Sequence, residues 1–241
     1  MDSRGMTQDE WAELVSSLEE VGPYYEKVNW LMTFGLVDRW RRRVAAMASS
    51  DDVVLELGPG PGYFTRHLRS REIYCLEPSI GFSASAGGML DPERVTLLRG
   101  VAEKIPLADE SVDKVFCVFS FRDFYDKPSA LSEMYRVLRE GGEALVTDVV
   151  RPEPGPFAKM LDLHFRRIVP MLARVAVHPR AREVWSRDPY SKLADTWAAF
   201  GSPSTYERLF ERSGFTDIRT EFLDLKGAAV IRGKKPWRST S

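Results

Sequence analysis

Apolar positions along the chain change their period at about residue 50. Over the first 48 residues they recur at helical spacing. Trp11, Leu14, Val15 and Leu18 share one face of a helix that stops at Val21-Gly22-Pro23. A second helix is expected over about residues 25–32 and a third over 37–47, with Gly35 between them. From residue 52 short apolar runs alternate with helical patterns. Strands are expected at 53–57, 73–76, 95–98, 114–118 and 143–149, and the clearest helix at 127–139, ended by Gly141-Gly142. Strands alternating with helices predict an α/β, doubly wound, mostly parallel sheet buried on both faces. Residues 151–200 break the rhythm with a Pro-rich turn, Arg151-Pro-Glu-Pro-Gly-Pro156, and further helical pieces. A long insertion of this kind suits a substrate lid. Ser202-Pro203 then opens a helix that Gly214 ends. Strands at 216–223 and 228–232 close the sheet, joined by a turn at Lys226-Gly227, and the last strand is expected to be antiparallel. The expected organisation is a helical cap over 1–48 and one domain over 49–241 that carries the lid at 151–200.

Composition narrows the class without naming an activity. The 34 Lys and Arg nearly balance the 35 Asp and Glu, which argues against a nucleic-acid binder working through a broad basic surface. Cys75 and Cys117 cannot make a disulfide framework or a four-ligand zinc site, and no metal is implied. Both lie in apolar runs and read as buried reduced thiols. No stretch approaches the roughly 18 apolar residues of a membrane span. The N-terminus is polar and acidic, unlike a signal peptide, so the cytoplasm is the expected compartment.

The strongest local motif is Val53-Val-Leu-Glu-Leu57-Gly58-Pro59-Gly60-Pro61-Gly62-Tyr63. An apolar strand runs into three alternate glycines and then, by expectation, into a helix. Glycine lets backbone turn sharply and approach a ligand where a Cβ would collide. Dinucleotide-binding loops use a related spacing, G-x-G-x-x-G, but Tyr63 stands where their third glycine would be, which disfavours a nicotinamide or flavin cofactor. Nineteen residues after Gly58, at the end of the apolar run Ile73-Tyr-Cys-Leu76, comes Glu77. An acid at the end of a second strand can accept hydrogen bonds from both hydroxyls of a ribose. The two features together point to an adenosyl ligand.

With these residues in view the chain resembles the class I S-adenosylmethionine-dependent methyltransferases. Gly100-Val-Ala-Glu-Lys-Ile-Pro-Leu107 and Asp109-Glu-Ser-Val-Asp-Lys-Val115 look like that family's next motifs. The resemblance implies a Rossmann-like fold and S-adenosylmethionine as cofactor. It implies a cofactor-binding set of Glu56, Gly58, Gly60, Pro61, Gly62, Glu77, Val101, Ala102 and Val118, with Val101 and Ala102 bordering adenine. Val101 stands where the family often has Asp or Asn, so Glu103 or a backbone carbonyl is left to meet the adenine amino group.

A narrower resemblance is to the ubiquinone/menaquinone biosynthesis C-methyltransferases. It is carried by Tyr25-x3-Asn29-x-Leu31-Met32-x-Phe34-Gly35-x4-Trp40-x-Arg42, by Phe119-Ser-Phe-Arg122-Asp123-Phe-Tyr-Asp126, and by Ala130-Leu-x-Glu-Met-Tyr-Arg-Val-Leu138-x2-Gly-Gly142. It implies methyl transfer to a ring carbon of a small, lipid-tailed quinol, with no nucleic-acid partner. Asp123 stands where that family has Asn. Carbon methylation needs a phenol deprotonated so that charge reaches the ring. Arg122, Asp123, Asp148 and His164 are the catalytic candidates, and Tyr25, Asn29 and Met32 the candidates to line the substrate pocket. Each has a plainer reading: Asp123 as a helix cap, Asp148 as the close of a strand, His164 as a packed lid residue, and Arg122 as the partner of Asp123 or Asp126. Arg39, Arg41, Arg42 and Arg43 around Trp40 read as a solvated helix face or as peripheral contact with anionic lipid headgroups. Two rivals stand beside the quinol: N- or O-methylation of another small acceptor, and cofactor binding without catalysis.

Overall fold

The computed structural model describes residues 33–150 and 202–238 without a break, together with 26, 29–30, 155, 159–160, 163–168 and 171. The expected first helix, Tyr25, Met32 and most of the 151–200 insertion lie outside the described residues.

The central sheet grows from the apolar runs. Strands β1 (Val53–Leu57), β2 (Glu72–Glu77), β3 (Val95–Arg99), β4 (Val112–Val118) and β5 (Leu138–Val149) lie parallel. β6 (Thr216–Phe222) and β7 (Ala228–Lys234) complete a seven-stranded sheet in the order β3-β2-β1-β4-β5-β7-β6. β7 runs antiparallel to both neighbours, as the pattern predicted for the last strand. The order reverses between β1 and β4. In a doubly wound sheet this switch opens a crevice at the carboxyl ends of the strands.

Both faces of the sheet are covered. Alternate residues of one strand feed two separate cores: Val54 packs into one with Trp40, Phe64 and Phe116, and Leu55 and Leu57 into the other with Leu131, Met134 and Phe210. Helix α1 (Val37–Ala45) buries Val37, Trp40, Val44 and Ala45 at helical spacing against the first core, while its buried Arg41 pairs with Glu26. Helix α2 (Ile80–Met89) follows β2 and is capped by Ser79, whose hydroxyl accepts from the Phe82 N–H. Helix α3 (Lys127–Val137) and helix α4 (Pro203–Arg212) cover the second core through Leu131 and Met134 and through Tyr206 and Phe210.

Three local expectations are corrected. The glycine loop leads into a single 3-10 turn, Thr65–His67, and not into an α-helix. The connection between β1 and β2 spends its first residues on the Gly58–Gly62 turn, and Leu68 is already extended. Gly141-Gly142 does not end the helix. Helix α3 stops at Val137 and the next residue, Leu138, pairs with Val112, so β5 begins five residues before the expected start. The register shifts between Val112 and Lys114 as it passes this Gly-Gly. A Cβ on Gly142 would lie 2.8 Å from the Asp113 carbonyl oxygen, so the glycine is needed for strand contact. Finally, the Ser202 hydroxyl makes no cap bond at the start of α4. It faces Ser204 Oγ at 2.6 Å.

Candidate functional site

The crevice at the switch point is a cleft partly open to solvent, which is where an α/β sheet of this kind takes its ligand. Its walls come from four connections: the glycine loop, the β2–α2 turn, the segment 100–103 after β3, and the segment 119–124 after β4.

The three loop glycines take left-handed conformations for different reasons. A Cβ on Gly58 would stand 2.8 Å from Ser120 Cβ, so this glycine lets β1 and the β4 loop approach. The Ser120 hydroxyl seals that approach by donating to the Leu57 carbonyl at 2.8 Å. A Cβ on Gly62 would press on Leu90 of α2 at 3.0 Å. Only at Gly60 does a Cβ point into open space, with nothing within 4 Å, where a ligand would meet bare backbone.

Glu77 closes this end of the cleft. Its carboxylate is almost fully buried, and it accepts from the Gly60 N–H at 2.9 Å and the Ser79 N–H at 3.0 Å. It is thereby held rigidly at the cleft wall beside the only loop glycine that faces open space. Leu76, Phe82, Ala102 and Phe119 supply apolar lining. Val101 and Ala102 also line the cleft. Glu103 joins them, its Oε1 accepting from the Asp126 N–H at 3.1 Å, and burial lifts its carboxyl above the ordinary range.

Glu56, Gly62 and Val118 are not among the residues lining the cleft. Glu56 shares a face of β1 with Val54 and points into the first core, where Thr65 Oγ1 donates to it at 2.6 Å. Burial pushes its carboxyl up to about 8, against the bond from Thr65 and the charge of Arg41.

At the other end of the cleft charges converge. β4 ends at Val118, and the next residue, Phe119, has a φ of 62° in the left-handed region, a strained conformation for a bulky side chain. The chain then makes a 3-10 turn, Phe121–Asp123, that puts Arg122 and Asp123 in the cleft wall. Arg122 Nη1 donates to Asp148 Oδ1 at 2.6 Å, and Arg122 Nε lies 3.7 Å from Asp123 Oδ1. Asp148 comes from β5 and is completely buried. Lys127 Nζ donates to the Arg122 and Phe124 carbonyls at 3.0 Å each and pins the turn. Asp123 is not the cap of the following helix. Asp126 is, accepting from the Ser129 N–H at 3.2 Å, which leaves Asp123 facing the cleft. Burial raises Asp123 to about 6; Arg122 opposes the rise, Asp148 adds to it and Lys127 opposes it. Burial lowers Lys127, with Asp123 and Asp148 acting against that shift.

His164 and Asn29 come from the two segments outside the sheet. The His164 ring is buried and stacks on Phe34 with centroids 4.0 Å apart, so where they are described the N-terminal cap and the insertion touch each other. Asn29 accepts through its carbonyl from Thr33 Oγ1 at 2.7 Å, and neither His164 nor Asn29 lines the cleft. Tyr25 and Met32 lie outside the described residues. Lys127 and Tyr206 were not singled out from the sequence. Lys127 reaches carbonyls that no pattern marks. Tyr206, buried against Phe121 at 5.5 Å, arrives from a helix some eighty residues away. Among the described residues no cluster suits a metal ion, and no helix is long and apolar enough to cross a membrane.

Comparison with known proteins sets this geometry in a family. The model of the ubiE/COQ5 methyltransferase family matches residues 83–235. The chain is 29% identical over 229 residues to the demethylmenaquinone methyltransferase of Thermus thermophilus, covering 90% of this chain and 99% of that protein. It is 30% identical over 231 residues to that of Mycobacterium sp. strain JLS, covering 94% and 95%. Among solved structures, a SAM-dependent methyltransferase from Thermotoga maritima superposes with a TM-score of 0.61 at 21% identity, covering 92% of this chain and 99% of that one. One from Aquifex aeolicus gives 0.59 at 16%, covering 87% and 97%. At these identities the structural matches speak for the Rossmann-like fold alone.

Proposed function

Since the chain belongs to the ubiE/COQ5 methyltransferase family and takes S-adenosylmethionine as methyl donor, we propose that it methylates a ring carbon of a demethylmenaquinol-type, lipid-tailed quinol. The observation that carries this reading is the joining, in one cleft, of a glycine cradle with a buried acid at one end and an arginine–carboxylate cluster at the other. The residues fit the cofactor. Gly60 leaves room that any Cβ would fill, and Glu77 puts a carboxylate, the group that accepts from ribose hydroxyls, at the cleft wall beside it. Val101, Ala102 and Phe82 form apolar walls for adenine. Bound there, S-adenosylmethionine supplies a methyl group activated on a sulfonium, with a neutral thioether as leaving group.

The chain's own residues prepare the acceptor. Alignment of nucleophile and methyl group accounts for much of the rate in such a displacement. Asp123 takes the quinol hydroxyl proton, directly or through a water, and the electron pair moves into the ring so that the carbon can attack. Arg122 stabilises the phenolate oxygen meanwhile. A carboxyl raised to about 6 is ionised at neutral pH and still basic enough to accept a proton. The described residues of the N-terminal segment and of the insertion meet where Phe34 stacks on His164. Trp30, Phe34 and Leu163 are more than half exposed there, which suits a lipid tail entering from a membrane surface.

The test is incubation with labelled S-adenosylmethionine and a panel of demethylmenaquinol, demethoxy-ubiquinol precursor, small amines and catechols, with mass spectrometry of the products. A C-methylated quinol is expected. Methylation of the amine or catechol alone would replace the acceptor. Cofactor binding without turnover on any of them would argue for a non-catalytic role.

A further inference from the structure

We propose that Asp148 is a positioning residue of the methyl transfer: from β5 it holds the Arg122 guanidinium between itself and Asp123, and so sets both the aim of Arg122 and the basicity of Asp123. The proposal deepens the reading of Asp123 as proton acceptor and rests on it.

The geometry is lopsided. Asp148 is fully buried; its Oδ1 accepts from Arg122 Nη1 at 2.6 Å and from the Val149 N–H at 2.8 Å, and the Arg122 backbone N–H also favours its ionised form. Its other oxygen, Oδ2, is buried with no hydrogen-bond partner. A buried ion pair satisfied on one side only is a poor device for stability, because desolvating the carboxylate offsets most of the attraction. An apolar residue in β5 would serve the second core better. What Asp148 does achieve is to fix Arg122. The arginine backbone is pinned by Lys127, its Nη1 is pinned by Asp148, and its Nε is left 3.7 Å from Asp123. In this arrangement one guanidinium is shared by two carboxylates, only one of which lines the cleft.

The sharing affects proton affinity. Asp123 faces Arg122 on its own turn, Asp148 from β5 and Lys127 from α3. Asp148 in turn faces Arg122, with Tyr206 from α4 and Cys117 from β4 nearby. The negative charge of Asp148 favours the protonated form of Asp123 and occupies the cation that would otherwise favour its ionised form. Both effects have one sign, so removing the charge of Asp148 makes Asp123 a weaker base.

The experiment is the pH dependence of kcat with demethylmenaquinol in the full chain, for Asp148→Asn, Asp148→Glu and Asp123→Asn, with thermal unfolding and cofactor calorimetry as controls. In Asp148→Asn the acidic limb should move down by about one pH unit and kcat at neutral pH fall about tenfold, with cofactor affinity unchanged. Asp148→Glu keeps the charge and should restore the position of the limb. A limb that does not move in Asp148→Asn, or loss of activity alike in both variants, overturns the proposal. Asp123→Asn should abolish the limb. If the limb persists there, the proton-acceptor reading fails by itself. Asp148 is then judged on kcat: a loss in Asp148→Asn restored in Asp148→Glu supports its hold on Arg122, and equal losses overturn it. If Asp148→Asn does not fold, Arg122→Gln is the second variant. Loss of the shared cation should raise the limb, and an unmoved limb overturns the proposal.

Discussion

The two ends of the cleft are built by different physics. The cofactor end, around Gly58, Gly60, Gly62 and Glu77, is an arrangement of backbone. Its fit depends on where side chains are missing and on N–H groups that hold one carboxylate. The acceptor end, around Arg122, Asp123, Lys127 and Asp148, is an arrangement of charge. Its fit depends on side chains from β5, α3 and the β4 loop meeting in a buried place. The first tolerates no added atoms, and the second tolerates no unbalanced charge. The left-handed glycine turn is encoded in a few adjacent residues, although the close approach it allows, Gly58 to Ser120, comes from another strand's loop. Charge balance acts through space and needs the whole sheet.

This contrast can be sharpened in order of expected effect. Gly58→Ala forces a Cβ into Ser120 at a left-handed φ and should lower stability by about 2–4 kcal/mol. Gly60→Ala meets no protein atom and should lower it by only about 1 kcal/mol. Gly60→Ala should instead weaken S-adenosylmethionine binding. Thermal unfolding and calorimetry on the pair separate the two glycines, and equal losses of stability would erase the distinction drawn between them.

At the acceptor end, Asp123→Asn should reduce kcat on the order of 10²-fold and leave cofactor affinity unchanged. Activity of the unaltered chain should rise with pH through about 6 and then level off, because the accepting carboxylate must be ionised. An Asn variant that retains full activity would show that this end works by shape as well.

Glu77→Ala should weaken S-adenosylmethionine by roughly 1.5–3 kcal/mol, the range for losing charge-assisted hydrogen bonds. Calorimetry giving an unchanged affinity in the folded variant would remove Glu77 from the cofactor site.

The smallest effect tests a charge buried behind the cofactor end. Glu56 has an ordinary value near 4.5 and is pushed up to about 8 in the fold. Between those values the folded chain binds more protons than the unfolded one. Stability therefore falls as pH rises through that window, and the loss is complete above about 8. Glu56→Gln should flatten that dependence and raise stability at pH 8.5 by about 1 kcal/mol, less than full linkage because a buried amide must keep the Thr65 bond. Unfolding curves at pH 5.5 and 8.5 that keep the original slope would mean that Glu56 titrates normally.

The sequence by itself determined the order of the strands and, apart from the start of β5, their positions to within a residue or two, together with the glycine loop and the acid nineteen residues after Gly58. These rest on period and on backbone chemistry, both of which are local. The family resemblance was legible for the same reason, because its motifs are short runs such as Phe119-Ser-Phe-Arg122-Asp123. Only the tertiary structure decided which polar residues meet. It gave Asp126 the capping role and left Asp123 in the cleft wall. It paired Arg122 with Asp148 across two strands, sent Glu56 into the core, and set Gly141-Gly142 inside a strand. Sequence offset alone cannot tell whether an aspartate four residues before a helix caps it or misses it by one turn. Nor can it tell which face of a strand meets a guanidinium arriving from another loop. Those outcomes depend on sheet register and side-chain direction, which exist only once the strands have paired.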